Sequence, residues 1–209
     1  KNSELQRYSA RLNLTQKVGK YGEVGANMMF SQLNQELNEE RTSAINPFFD
    51  VAVTMNPSMT VRDENGNYTG AYEGSSLNPL RDILTDYNRT KMTRMFSTGY
   101  ASIEPIKGLK LKETLSYDYN IQKDSRYYNP LSSAGAKSGS DARTSKGFIE
   151  YGRFNSSTSL NYVHNFGLRH HVDVLAAYEV ESYDTDHAVG EAYRLPSDVL
   201  TEPDNAAVI

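Results

Sequence analysis

The chain has 209 residues, the size of one ordinary domain or of a part of something larger, and it contains no cysteine, which excludes a disulfide framework, thiol catalysis and cysteine-ligated metal sites. A net charge of −4 and a pI near 5.6 give no electrostatic support to a nucleic-acid surface. Hydrophobic residues are only 38% and mean hydropathy is −0.63, yet 15 Tyr and 7 Phe are present, so something other than a thick apolar interior uses the aromatics.

From Tyr8 to Thr15 the chain alternates, with Tyr8, Ala10, Leu12 and Leu14 on one side and Ser9, Arg11, Asn13 and Thr15 on the other. A period of two predicts a strand. After a short break at about 17–21, Val24, Ala26, Met28 and Phe30 alternate with Gly25, Asn27, Met29 and Ser31, which makes the pair a hairpin. Alternation then fails, and a very long loop is expected over about 35–92, rich in Asn, Gly and Ser and carrying Pro47, Pro57 and Pro79. The third strand covers about Arg94 to Glu104 with poorly sorted faces, and Pro105-Ile106-Lys107-Gly108 turns the chain. In the fourth, Leu109, Leu111, Leu115, Tyr117 and Tyr119 share one face and Lys110, Lys112, Thr114, Ser116, Asp118 and Asn120 the other. Glu113 falls on the apolar face, where a β-bulge or a position near an interface would accommodate it.

A second polar stretch, about 122–146, reads as a mobile loop. Strand five runs from about Phe148 to Val163 with Phe154, Thr158, Leu160 and Tyr162 in phase, and a short turn follows at about 164–169. Strand six places Val172, Val174, Ala176, Tyr178 and Val180 on one face, before an irregular tail beyond about Asp184.

Connections thus alternate short, long, short, long, short. No stretch approaches the roughly 18 apolar residues of a membrane helix, but a membrane β-barrel hides from hydropathy because its strands alternate lipid-facing and lumen-facing side chains. Short turns at one end and long loops at the other are the habit of outer-membrane barrels. Six strands are fewer than the eight of the smallest such barrels, and two unpaired edges in lipid leave backbone groups unmet. The expected fold is therefore all-β: about six antiparallel strands of a larger transmembrane barrel, with residues 1–209 a partial barrel domain. A soluble or surface β-sandwich that binds carbohydrate and a passive porin are the alternatives; a sandwich would bury its apolar face against a second sheet.

Several segments in order resemble the SusC/RagA family of TonB-linked (TonB-dependent) outer-membrane transporters of the Bacteroidetes. They are Tyr8-Ser9-Ala10-Arg11-Leu12-Asn13-Leu14; Asn56-Pro57 through Val61-Arg62-Asp63-Glu64-Asn65-Gly66-Asn67-Tyr68; Asn78-Pro79-Leu80; Ile106-Lys107-Gly108-Leu109-Lys110-Leu111-Lys112; Tyr117-Asp118-Tyr119; and Leu160-Asn161-Tyr162 leading to His171 and Ala177-Tyr178-Glu179. The match departs at Val61-Arg62, where the family more often has a valine–tyrosine pair. The resemblance implies a 22-stranded barrel occluded by a plug, energised through the TonB complex and covered by a SusD-like surface lipoprotein. It implies import of glycan oligomers or peptides across the outer membrane, with neither bond cleavage nor a cofactor. The TonB box and plug are not among these residues, so that machinery comes from the family alone.

Candidate site residues follow from position. Phe48, Phe49, Tyr68 and Tyr72 sit in the long loop, where aromatics stack on sugar rings, contact a lid or pack the loop on itself. Arg7, Arg11, Asn13, Asn27, Arg153, Asn155 and Asn161 fall on the faces assigned to the lumen. Asp63, Asn65 and Asn67 space oxygens like the start of a calcium loop but lack the downstream glutamate, and Asn65-Gly66 is better suited to a tight turn. The four histidines have no ligand-spaced companions, and no nucleophile motif frames the serines, so neither a metal centre nor an enzyme is expected.

Overall fold

The computed structural model describes residues 3–37, 58, 60–69, 78–137, 141–167 and 169–207. Six strands form one antiparallel sheet in sequence order: β1 (Glu4–Val18), β2 (Gly22–Glu36), β3 (Tyr87–Ile106), β4 (Leu109–Tyr128), β5 (Arg143–Phe166) and β6 (His170–Tyr193). Among the described residues each strand pairs only with its chain neighbours, and β1 and β6 are open edges. The sheet is a single layer among the described residues, which removes the two-sheet sandwich. Among the described residues two short α-helices, α1 (Pro79–Thr85) and α2 (Ser133–Lys137), lie in the long connections.

The three tight connections turn at Gly19, Gly108 and Gly167, all at positive φ, where an L side chain is strained. At Gly108 space is also short: an added Cβ would lie 2.1 Å from the Val163 carbonyl oxygen, which belongs to the neighbouring strand.

Registry sorts the side chains into two faces. On the outer face one row reads Leu12, Met28, Ser97, Tyr117, Phe154, Ser182 across the six strands, and another reads Leu14, Ala26, Gly99, Leu115, Ser156, Val180. Leu12, Met28, Tyr117 and Phe154 are all exposed. A contiguous apolar surface in water is unfavourable, and lipid is its natural solvent.

The apolar band slants. On β1 its outward members are Tyr8 to Leu14, bracketed by Gln6 and Gln16; on β6 they are Val172 to Val180, with Ser182, Asp184 and Asp186 above. Leu14 and Val180 share a row, so the top of the band on β6 is level in registry with the bottom on β1. Strands tilted to a membrane normal, as barrel closure requires, produce this offset.

The strands overrun the expected boundaries. β2 continues to Glu36 and β3 begins at Tyr87, inside the loop expected over 35–92. The stretch 122–146, expected as a mobile loop, is strand as far as Tyr128 and again from Arg143. The tail beyond Asp184 is strand to Tyr193. The reason is physical: about 9–11 tilted residues span a bilayer, whereas β5 and β6 have 24 each. Beyond the apolar band neither face has to be apolar along its length, so the ladder continues while the alternation stops. Of the two accommodations expected for Glu113, the β-bulge does not occur there: its register is continuous with both neighbours, and the irregularity falls between Ile103 and Ile106. Its carboxylate accepts hydrogen bonds from Ser156 Oγ at 2.8 Å and from Thr158 Oγ1, two hydroxyls on the same outer face.

The buried core lies at the long-loop end of the sheet. Tyr127 is 1% exposed and packs with Ala142 and Leu195, and its ring stacks on Tyr87 at 5.7 Å. The loops dock here through carboxylates. Asp82 accepts the Ser133 backbone N–H at 3.0 Å, and Asp86 accepts that of Asn129 at 2.8 Å. Asn78 caps α1, accepting from Leu80 N at 3.1 Å, while its Nδ2 donates to the Val61 carbonyl at 2.8 Å. Burial, opposed by the Asn129 N–H, pushes the Asp86 carboxyl up to about 7.

Candidate lumenal binding surface

The inner face is polar where the outer is apolar. Two adjacent rows run Ser9, Ser31, Arg94, Asn120, Tyr151, Thr185 and Arg11, Met29, Phe96, Asp118, Arg153, Tyr183. A recess of about 330 Å³ opens where β3 to β6 contribute Arg94, Asp118, Asn120, Tyr151, Arg153 and Tyr183.

Its geometry follows from the pairing of long and short polar side chains on neighbouring strands. Arg94 meets Asp118 as a two-point fork, Nε donating to Oδ1 at 2.9 Å and Nη2 to Oδ2 at 2.6 Å. A forked pair holds the guanidinium plane fixed. Arg153 faces Glu181 at 3.8 Å and lies 5.9 Å from the centre of the Tyr183 ring, which stacks on Tyr151 at 6.4 Å. Asn120 Oδ1 is buried without a hydrogen-bond partner among the described residues. The recess therefore offers two cations balanced by Asp118 and Glu181, an aromatic pair and an amide acceptor. Such a set binds a polar, uncharged or zwitterionic chain by hydrogen bonds and ring contacts; it carries no nucleophile held by a base.

Nearer the tight turns, Tyr100 donates to Glu23 Oε1 at 2.9 Å, and Lys112 lies 4.7 Å over its ring. Gly25, directly across from Tyr100, makes room for it: a Cβ there would sit 2.2 Å from the ring.

All seven residues read from sequence as lumen candidates share this face. Arg153 alone of them lines the recess. Arg7 donates to Ser31 Oγ at 3.2 Å, and Arg11 reaches Met29 Sδ at 3.7 Å. Asn13 and Asn27 face each other in register. Asn155 donates to Glu179 Oε1 at 2.5 Å and Asn161 to Asp173 Oδ1 at 2.8 Å. The structure adds Arg94, Asp118, Asn120, Tyr151 and Tyr183. Asp118 and Asn120 were on the polar face already read for strand four, and extending parity across β3, β5 and β6 selects the others.

In the loop, Tyr68 lies under Arg62, whose guanidinium is 4.1 Å from the ring centre and donates to the phenol oxygen at 2.9 Å. Asp63 Oδ1 accepts the N–H groups of Asn65 at 2.9 Å and Asn67 at 2.8 Å, closing a turn with Gly66 at positive φ. Both donors engage Oδ1, and no cluster of metal-ligating residues occurs among the described residues. Phe48, Phe49 and Tyr72 lie outside the described residues.

No family model matches the chain. It is 20% identical over 201 residues to the TonB-dependent receptor P26 of Formosa agariphila, covering 95% of this chain and 20% of that protein. Among solved structures it matches the RagAB peptide transporter with a TM-score of 0.80 at 20% identity, over 99% of this chain and 23% of the other. It matches the RagAB peptide importer in its closed-closed and open-open states with TM-scores of 0.78 and 0.79. The chain thus spans about a fifth of the curated relative and under a quarter of the solved ones. Its fold is that of the matching segment of the RagAB transporter structures. The sequence segments that carry the SusC/RagA resemblance lie within the part of the chain that these matches cover.

Proposed function

We propose that this chain forms part of the wall of an outer-membrane importer driven through the TonB complex, which takes up oligomeric nutrients, glycan or peptide, beneath a SusD-like surface lipoprotein. The observation that carries the reading is the pairing of an exposed slanted apolar face with a polar face in one open sheet, aligned over 99% of its length with a transporter barrel. The inner recess around Arg94, Asp118 and Arg153 contacts the passing oligomer, and the loop bearing Phe48, Phe49, Tyr68 and Tyr72 meets the lid or the substrate. Arg7, Arg11, Asn13, Asn27, Asn155 and Asn161 line the rest of the path.

The test is uptake by cells carrying the full-length protein with Arg94→Ala and Arg153→Ala. Each lost charged hydrogen-bonding group removes about 1.5–3 kcal/mol where a ligand uses it, so uptake of the cognate labelled peptide or oligosaccharide falls by about tenfold or more at unchanged outer-membrane level. Undiminished uptake of both classes would remove the recess from the path.

A further inference from the structure

Above the apolar band the outer face carries a second feature. One row reads Gln6, Asn34, Lys91, Lys123, Phe148, Ala188, and the next row toward the long loops reads Glu4, Glu36, Arg89, Ser125, Lys146, Gly190. These two rows line a cleft of about 860 Å³. Its cations are not equivalent. Arg89 pairs with Glu36 at 3.3 Å, and Lys146 pairs with Glu202. Lys91 and Lys123 face each other directly in register, both are exposed, and neither forms an ion pair among the described residues. Nearby carboxylates are engaged elsewhere: Asp124 accepts from Thr90 Oγ1 at 2.6 Å, Glu4 from Gln6, and Glu150 from the Tyr119 phenol.

Like charges directly opposite on a sheet repel, and an anion between them relieves the repulsion. Their height decides which anion. On β3 the outward apolar residues begin at Met95, and on β4 at Ile121, within two rows of the lysine pair. Each row is two residues, roughly 5 Å of height at a 45° tilt. The lysines therefore stand at headgroup level on the long-loop side, with flexible stems able to lie along the apolar surface below. On the proposed outer-membrane reading, we infer that Lys91 and Lys123 form a binding site for a phosphate-bearing lipid headgroup of the outer leaflet, held against the outside of the barrel and flanked by Arg89 and Phe148. Asn34 and Ser125 supply neutral donors beside the phosphate.

The inference is tested on the full-length protein extracted from outer membranes in mild detergent, with native mass spectrometry counting retained phosphorylated lipid. Lys91→Gln with Lys123→Gln loses most of the lipid retained by the wild type, about tenfold, whereas Lys110→Gln with Lys112→Gln, on the inner face, retains it. Lys91→Arg with Lys123→Arg restores retention, which separates charge from folding. Equal retention by the glutamine pair and the wild type overturns the inference while the transporter reading stands. A protein absent from the outer membrane, with no heat-modifiable barrel band, overturns both.

Discussion

The sheet and the base of the long loops are held together by different means. In the sheet almost every side chain of β1 and β6 is exposed, and the large apolar residues Leu12, Met28, Tyr117 and Phe154 stay exposed on the outer face. At the loop base, Tyr127, Ala142 and Leu195 are buried, and Asp82 and Asp86 satisfy backbone donors of the neighbouring connection. The loop base carries its own core. The sheet has hydrogen-bonded ladders and, on the proposed barrel reading, takes its burial from lipid on one side and from further strands at both edges.

That contrast breaks most sharply at the middle of the band. Met28→Arg places a charge on the lipid face at a cost of about 2–4 kcal/mol near the midplane, whereas Asn27→Arg, one residue away, points inward and costs little. The heat-modifiable fraction in outer membranes falls for the first and holds for the second.

The next effect concerns the loop base alone. Asp86 is raised from 3.8 to about 7, chiefly by burial. The folded state then holds the proton more tightly than the unfolded one, so loop docking is fully stable below about pH 4 and weakens as pH rises toward 7. That difference corresponds to on the order of 4 kcal/mol as an upper bound. Amide exchange at Asn129 and Ser133, corrected for intrinsic rates, should lose protection between about pH 4 and about pH 7 and level off above it. Asp86→Asn should flatten that dependence, with the strands unaffected at either pH.

A smaller effect sharpens the inner face. Gly25→Ala puts a methyl into the Tyr100 ring, forcing the ring off Glu23 at a cost of about 1–3 kcal/mol. Assembly survives, and the loop base keeps its exchange protection.

The strands were legible where lipid imposes alternation and illegible where it does not. Tyr8 to Leu14 and Leu109 to Asn120 announce themselves because one face must be apolar. Alternation gives no guide beyond Ile121, where Gln122, Lys123 and Asp124 are polar on both faces although the ladder continues to Tyr128. β3 was blurred for a related reason: Phe96 and Tyr100 point inward, while Ser97 and Gly99 point outward, reversing the pattern in the middle of the strand. Of the recess, Arg153 was visible by parity, but its assembly with Arg94, Asp118 and Tyr183 depends on cross-strand registry, which a single strand's sequence does not encode. The loop base was hidden altogether, because its carboxylates read as polar surface until the chain folds over them.

On the proposed barrel reading, one face of this sheet meets lipid and the other meets the lumen. Because the segment has no cysteine of its own, single cysteines placed in it within the full-length protein report each position through a membrane-partitioned maleimide. Labelling is expected at Leu12→Cys, Met28→Cys and Tyr117→Cys, with none at Arg11→Cys, Asn27→Cys and Asp118→Cys. Equal labelling of both sets, or labelling of the second set alone, would contradict that reading.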